Sequence, residues 1–174
     1  HPDNDWFIHI SREYADLVHD VNPSYMDGFT DGITNGYDWY DIYGGRQDYT
    51  TYYLQGRELT LELSNAKKLP SALLETFWSY NQWSLFNLVV QSTYGIRGKV
   101  IDAETGGPLH TMVEVADHDN DSSVVFSDSI FGRFYRYLKE GNYDLVVSAE
   151  GYKNDTVLDV PIIDFQRTNI LVRM

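Results

Sequence analysis

A change in hydrophobic period near Gly95 divides this chain into two kinds of sequence. Beyond it, apolar residues recur in short runs separated by turns, among them IRGKVIDA, TMVEVADH, SVVFSD, FGRFYRYL, YDLVVSAEGY, TVLDV and TNILVRM. Even spacing of this kind without a helical period predicts a small antiparallel β-sandwich of about seven strands. Before Gly95 two stretches carry helical spacing instead. Phe7, Ile10, Tyr14, Leu17 and Val18 recur every three or four residues between Asp3 and Asp20, with Asp3 or Asp5 as candidate N-cap. Pro70 and Ser71 open a second predicted helix, striped by Leu74, Phe77, Asn81, Leu85, Leu88 and Val89 and stopped by Gly95. The expected units are therefore residues 1–94 and 95–174.

Between the two predicted helices lies a long stretch rich in Gly, Asp and Asn, holding Gly28, Gly32, Gly36, Gly44, Gly45 and Gly56. A loop of that length in a compact domain is usually a functional one. It runs into ELTLELS, where Leu59, Leu61 and Leu63 alternate with Glu58, Thr60, Glu62 and Ser64. Strict alternation predicts a strand with one apolar side. Glu62 on its other side reads either as a half-solvated surface carboxylate or as a general base aimed into a cleft, given something that polarises water.

Charge and composition exclude several functions. With 26 acidic residues against 13 Lys and Arg, the formal net charge is -13. Nucleic acid and anionic membrane surfaces are poor partners for such a chain. No apolar run approaches the roughly 18 residues of a membrane span, and HPDNDWF has no signal-peptide pattern. Cys is absent, which removes thiol nucleophiles and thiolate metal sites. His9 and His19 fall about 80° apart around the first helix, and His110 and His118 read as solvated residues of the sandwich. No zinc ligand is assigned to them. Asp117, Asp119 and Asp121 resemble the start of a calcium loop, but Ser122 replaces the required Gly and Asp128 the Glu, so a solvated loop is expected.

The run GITNGYDWYDIYGGRQDYTTYYLQGRELTLELS resembles the C-terminal part of the catalytic domain of zinc carboxypeptidases, in the regulatory (N/E) branch whose catalytic domain is followed by a transthyretin-like sandwich. The signals are ITNG-x-x-WY at 33–40, GG-x-QD at 44–48 and LTLELS. The resemblance implies Glu62 as catalytic general base, Tyr40 as the mobile tyrosine that closes over the substrate's C-terminal carboxylate, and Gln47 in the pocket for the last side chain. It implies Zn2+ in the intact enzyme, with its ligands and the carboxylate-gripping residues in an upstream half outside this chain. Relatives often bracket the glutamate strand with Cys, where this chain has Arg57 and Asn65.

The fold class expected is thus α/β, the C-terminal half of a carboxypeptidase-type mixed sheet with helices, followed by an all-β transthyretin-like sandwich. The implied function is removal of C-terminal residues from peptides or proteins, basic residues being the leading class, in an extracellular or periplasmic setting. This segment alone is expected to be inactive, and to pair with itself or with the missing N-terminal half through an uncovered strand edge and apolar face. The alternative is a non-catalytic interaction module built on half a peptidase domain and a β-sandwich.

Overall fold

A computed structural model describes all of residues 1–174. Helix α1 (Asn4–Val21) is followed by two short helices, α2 (Gly36–Trp39) and α3 (Arg46–Tyr52). A 3-10 turn at Ser71–Leu73 then leads into α4 (Leu74–Gln91). Seven strands complete the chain: β1 (Gly95–Ile101), β2 (Met112–Val115), β3 (Val125–Phe126), β4 (Arg133–Arg136), β5 (Gly141–Ser148), β6 (Asp155–Ile162) and β7 (Arg167–Arg173).

The strands form two sheets, ordered β4-β1-β7 and β3-β2-β5-β6. The second is antiparallel throughout, but β1 pairs with β7 in parallel, so the purely antiparallel sandwich expected from the sequence is corrected to one mixed sheet facing one antiparallel sheet. Periodicity reports which side chains face inward and says nothing about strand direction. Between the sheets lies a core of twelve buried residues, including Ile96, Val100, Val113, Phe134, Leu145 and Val172. Gly98 lets β1 approach β4 closely, because a Cβ there would overlap the Phe134 ring at 2.0 Å.

Residues before β1 bury far less. Their buried apolar side chains are Ile10, Tyr14, Ala15 and Val18, all on α1. Helix α4 meets that face with its polar side: the Tyr14 hydroxyl donates to Asn81 Oδ1 at 2.8 Å, the Ser84 hydroxyl donates to the Tyr14 carbonyl at 3.0 Å, and Glu13 accepts from Asn87 and Gln91. Burial raises the Tyr14 pKa, with Tyr25 adding to it. Asn81, Ser84 and Gln91 are buried while Leu74, Trp78, Trp83, Phe86 and Val89 lie exposed. Of the predicted stripe, Asn81 is buried and Phe77, Leu85 and Leu88 are half-buried, while Leu74 and Val89 at its ends are corrected to exposed. Hydrogen bonding to α1 takes the polar face inward and leaves much of the apolar one without a covering layer.

Neither does 58–64 form a strand. No backbone N–H or C=O of 57–64 bonds to another backbone group, and the described chain offers this segment no neighbouring strand. A strand exists only through its ladder, so alternation alone leaves the segment unpaired.

The N-terminal portion is held to the sandwich by buried charge. Asp3 begins α1 but caps it with no side-chain bond. Its carboxylate instead accepts from Arg136 Nη1 at 2.5 Å and Nη2 at 2.9 Å, from Arg57 Nε at 2.7 Å and from His118 Nε2 at 2.8 Å. Asp119, with its side chain fully shielded, pairs with the same Arg136. His118 and Asp119 are thus not the solvated loop residues the sequence suggested, and His110 likewise bonds the Ser127 carbonyl and stacks on Phe126. Burial opposes the Asp3 charge, yet its bonds to Arg136 and the charges of Arg136 and Arg57 prevail and lower its pKa. Residues 1–94 therefore have an anchor within the same chain.

Asp3→Ala leaves the buried Arg57 without its hydrogen-bonded carboxylate and two buried guanidiniums sharing Asp119 alone, and lowers unfolding stability in urea by about 3–5 kcal/mol. Because the folded Asp3 pKa lies below its unfolded value near 3.8, its contribution is complete above that pH and is lost as pH falls through the folded value. Unchanged stability of the variant, or an acid profile identical to wild type, contradicts the anchor. Amides of 58–64 should also exchange with solvent at near-unprotected rates in this chain, and strong protection in a monomer contradicts the unpaired state.

Candidate functional site

The glycine pair Gly44 and Gly45 ends the irregular stretch and starts α3, whose first turn carries Asp48, a favourable charge at a helix N-terminus. Side chains of α3 then hold the segment that follows. Glu58 accepts from the Thr50 hydroxyl at 2.8 Å and from Arg46, contacts that hold its carboxyl below the usual range. Gln47 Nε2 donates to the Thr60 hydroxyl. Further along, the Tyr25 hydroxyl donates to the Leu63 carbonyl at 2.8 Å, and at the near end Arg57 is buried against Asp3. The segment is thus fixed by side chains along its length, in place of a backbone ladder.

Glu62 comes next in the alternation after Glu58 and Thr60. Those two bond to α3, whereas the Glu62 carboxylate is exposed and makes no hydrogen bond or ion pair. A carboxylate in this state can take a proton, but nothing near it in the chain activates a water. Tyr40 sits just after α2, which Asn35 caps by accepting from the Tyr37 N–H at 3.2 Å. Its ring packs edge-on against Trp39 at 4.7 Å, and Trp39 in turn meets Phe29 at 5.2 Å. The Tyr40 side is 51% exposed, and no hydrogen bond joins it to Glu62. The structure thus links Gln47 to the Glu62 segment through Thr60, and leaves Tyr40 on a separate aromatic turn.

Two groups of side chains elsewhere have the chemistry of metal ligands: Asp3, His118 and Asp119, and His9, Glu13 and Asp164. The first already surrounds the guanidiniums of Arg136 and Arg57, which supply its positive charge. The second joins α1 to the turn after β6, with His9 Nε2 3.2 Å from Asp164. Neither includes Glu62. Zinc requires three or four nitrogen, sulfur or carboxylate donors converging on one point. The residues around Glu62 supply no such set, so this chain by itself does not fit a catalytic zinc.

The residues that matter most to the arrangement of the N-terminal part, Asp3, Arg136, His118 and Asp119, were not singled out from the sequence as a group. One signal was present. In FGRFYRYL the inward parity of Phe134 and Leu138 places Arg136 inward too, and a buried arginine demands acidic partners.

Comparison with known proteins supplies the family. Residues 1–84, which include Tyr40, Gln47 and Glu62, match the family described as zinc carboxypeptidase. Carboxypeptidase E of Caenorhabditis elegans is 37% identical over 90% of the chain, carboxypeptidase M of Mus musculus 35% over 92%, and carboxypeptidase D of Homo sapiens 38% over 82%. The chain spans 37% of the length of the first two and 10% of the third. Residues 1–84 thus match the zinc carboxypeptidase family, and the chain over most of its length is similar to carboxypeptidases E, M and D.

Proposed function

We propose that this chain is the C-terminal portion of a zinc-dependent metallocarboxypeptidase that removes C-terminal residues, with basic ones favoured, from peptides and proteins. The observation that carries the proposal is Glu62: a carboxylate without internal partners, on a segment whose backbone bonds to no other backbone group, inside the stretch that matches the family. An unmade ladder beside a free carboxylate fits a segment completed by a neighbouring strand of the intact protein.

In this reading Glu62 accepts a proton from water as the water oxygen attacks the scissile carbonyl, then delivers that proton to the leaving amine. Tyr40, with its exposed ring and uncommitted hydroxyl, closes over the terminal carboxylate. Gln47, oriented by Thr60, lines the pocket for the last side chain. Zn2+ in the intact protein, held by residues outside this chain, would make the water acidic and polarise the carbonyl. The sandwich of residues 95–174 is a transthyretin-like domain that supports folding of the catalytic part, and the protein acts in an extracellular or periplasmic setting. The chain alone is inactive.

Kinetics of the longer encoded protein test this assignment. Glu62→Gln should lower kcat by at least about a hundredfold with little change in KM, while Glu58→Gln, which alters only the tie to α3, retains most activity. Tyr40→Phe should weaken capture of the substrate carboxylate and lower kcat/KM. Near-normal turnover by the Glu62 variant overturns the catalytic role.

A further inference from the structure

The outer face of the β4-β1-β7 sheet carries a charge opposite to that of the chain as a whole. These three strands hold Arg97, Lys99, Arg133, Arg136, Arg167 and Arg173, six of the 13 Lys and Arg, and no Asp or Glu. Arg136 points inward to Asp3, and Arg97, Lys99, Arg133 and Arg167 line an open groove of about 570 Å³ with no carboxylate in its wall. Ion pairs elsewhere occupy Arg12, Arg46, Arg57 and Arg136, and none involves the four groove cations.

Lys99 stands directly across from Arg133 in the ladder, and like charges opposed in this way repel. Asp128, whose charge Arg133 feels, forms no ion pair with it and instead accepts from the backbone N–H groups of Ile130, Phe131 and Arg133. The Arg97 guanidinium carbon sits over the Tyr135 ring, 4.5 Å from the centroid, and that of Arg133 over Phe131 at 5.0 Å. Arg97 Nη2 also donates to the Ser92 carbonyl at 2.8 Å, and its remaining N–H groups and those of Arg133 are left for an oxyanion. Repulsion within the cluster is relieved when an anion binds.

We propose that this groove binds a sulfated polysaccharide chain. Sulfates would be held by Arg97, Lys99, Arg133 and Arg167, and sugar hydroxyls by Thr93 and Asn169. A net charge of -13 disfavours broad polyanions such as duplex nucleic acid or a membrane surface, which bring the acidic remainder of the molecule against phosphate. A single flexible polyanion can follow the groove alone. An acidic peptide finds fewer footholds here: β1 is paired on both sides, so a strand could add only at the outer edges, on β4 or β7, away from Arg97 and Lys99, and the Tyr135 and Phe131 rings are already covered by guanidiniums. The assignment is independent of the peptidase reading, and its test needs no hydrolysis.

The test uses the full chain and a heparin-derived oligosaccharide, with affinity measured by calorimetry at several salt concentrations and contacts mapped by amide chemical shifts. Binding should weaken with salt, and shifts should cluster on β1, β4 and β7. Lys99→Gln with Arg133→Gln should weaken binding by about tenfold and reduce the log–log salt slope by roughly one per cation removed. Lys67→Gln with Lys68→Gln should leave binding unchanged. No binding, shifts centred elsewhere, or equal binding of desulfated oligosaccharide or polyglutamate overturns the proposal. The shift map on the unmodified chain decides the matter even if the double variant folds poorly.

Discussion

The Asp3 carboxylate is the point on which the two unequal parts of this molecule meet. The sandwich has its own apolar core, while the helical part buries only a few apolar side chains and holds α4 largely through polar contacts. Such a part has little stability of its own. Two arginines arriving from different directions, Arg57 from the segment before Glu62 and Arg136 from β4, converge on one acid at the start of α1. Buried charges tolerate no vacancy, so each of the three elements is oriented by the other two. Around this point lie weaker ties, including the Phe126 N–H donating to Gln55 at 2.5 Å and the packing of Trp6 on Tyr137.

The same anchor bears on the candidate catalytic residue. Arg57 stands five positions before Glu62, and its burial fixes one end of the segment while Tyr25 holds the Leu63 carbonyl at the other. Between them α3 grips Glu58 and Thr60. Glu62 is thus presented from a braced stretch whose backbone bonds to no other backbone group. Together with the exposed apolar residues of α4, this describes a surface suited to further structure, in keeping with a chain that spans only part of the relatives it matches.

Much of this organisation was legible in the residues. The hydrophobic period placed α1 to within one residue and distinguished the strand-rich stretch, because core-facing apolar side chains impose period directly on sequence. The family motifs single out Tyr40, Gln47 and Glu62, whose roles remain the proposal made above. Three features escaped for physical reasons. Alternation in ELTLELS records a preference for a sheet, but a ladder depends on a partner that composition cannot reveal. The inward side of α4 proved polar because Tyr14 and Glu13 present hydrogen-bonding groups to it, a property of the opposing helix. Asp3 looked like a helix cap, which is the usual use of such a residue, and was recruited by arginines that lie 54 and 133 positions away.

The account is tested most directly by a crystal structure of the longer encoded protein with a peptide analogue bound at its active centre. It predicts residues 58–64 paired in a sheet, the Glu62 carboxylate within hydrogen-bonding distance of the water or oxygen beside the scissile carbonyl, and Tyr40 folded over the ligand's terminal carboxylate. A Glu62 side chain directed into bulk solvent while the ligand sits elsewhere would contradict it.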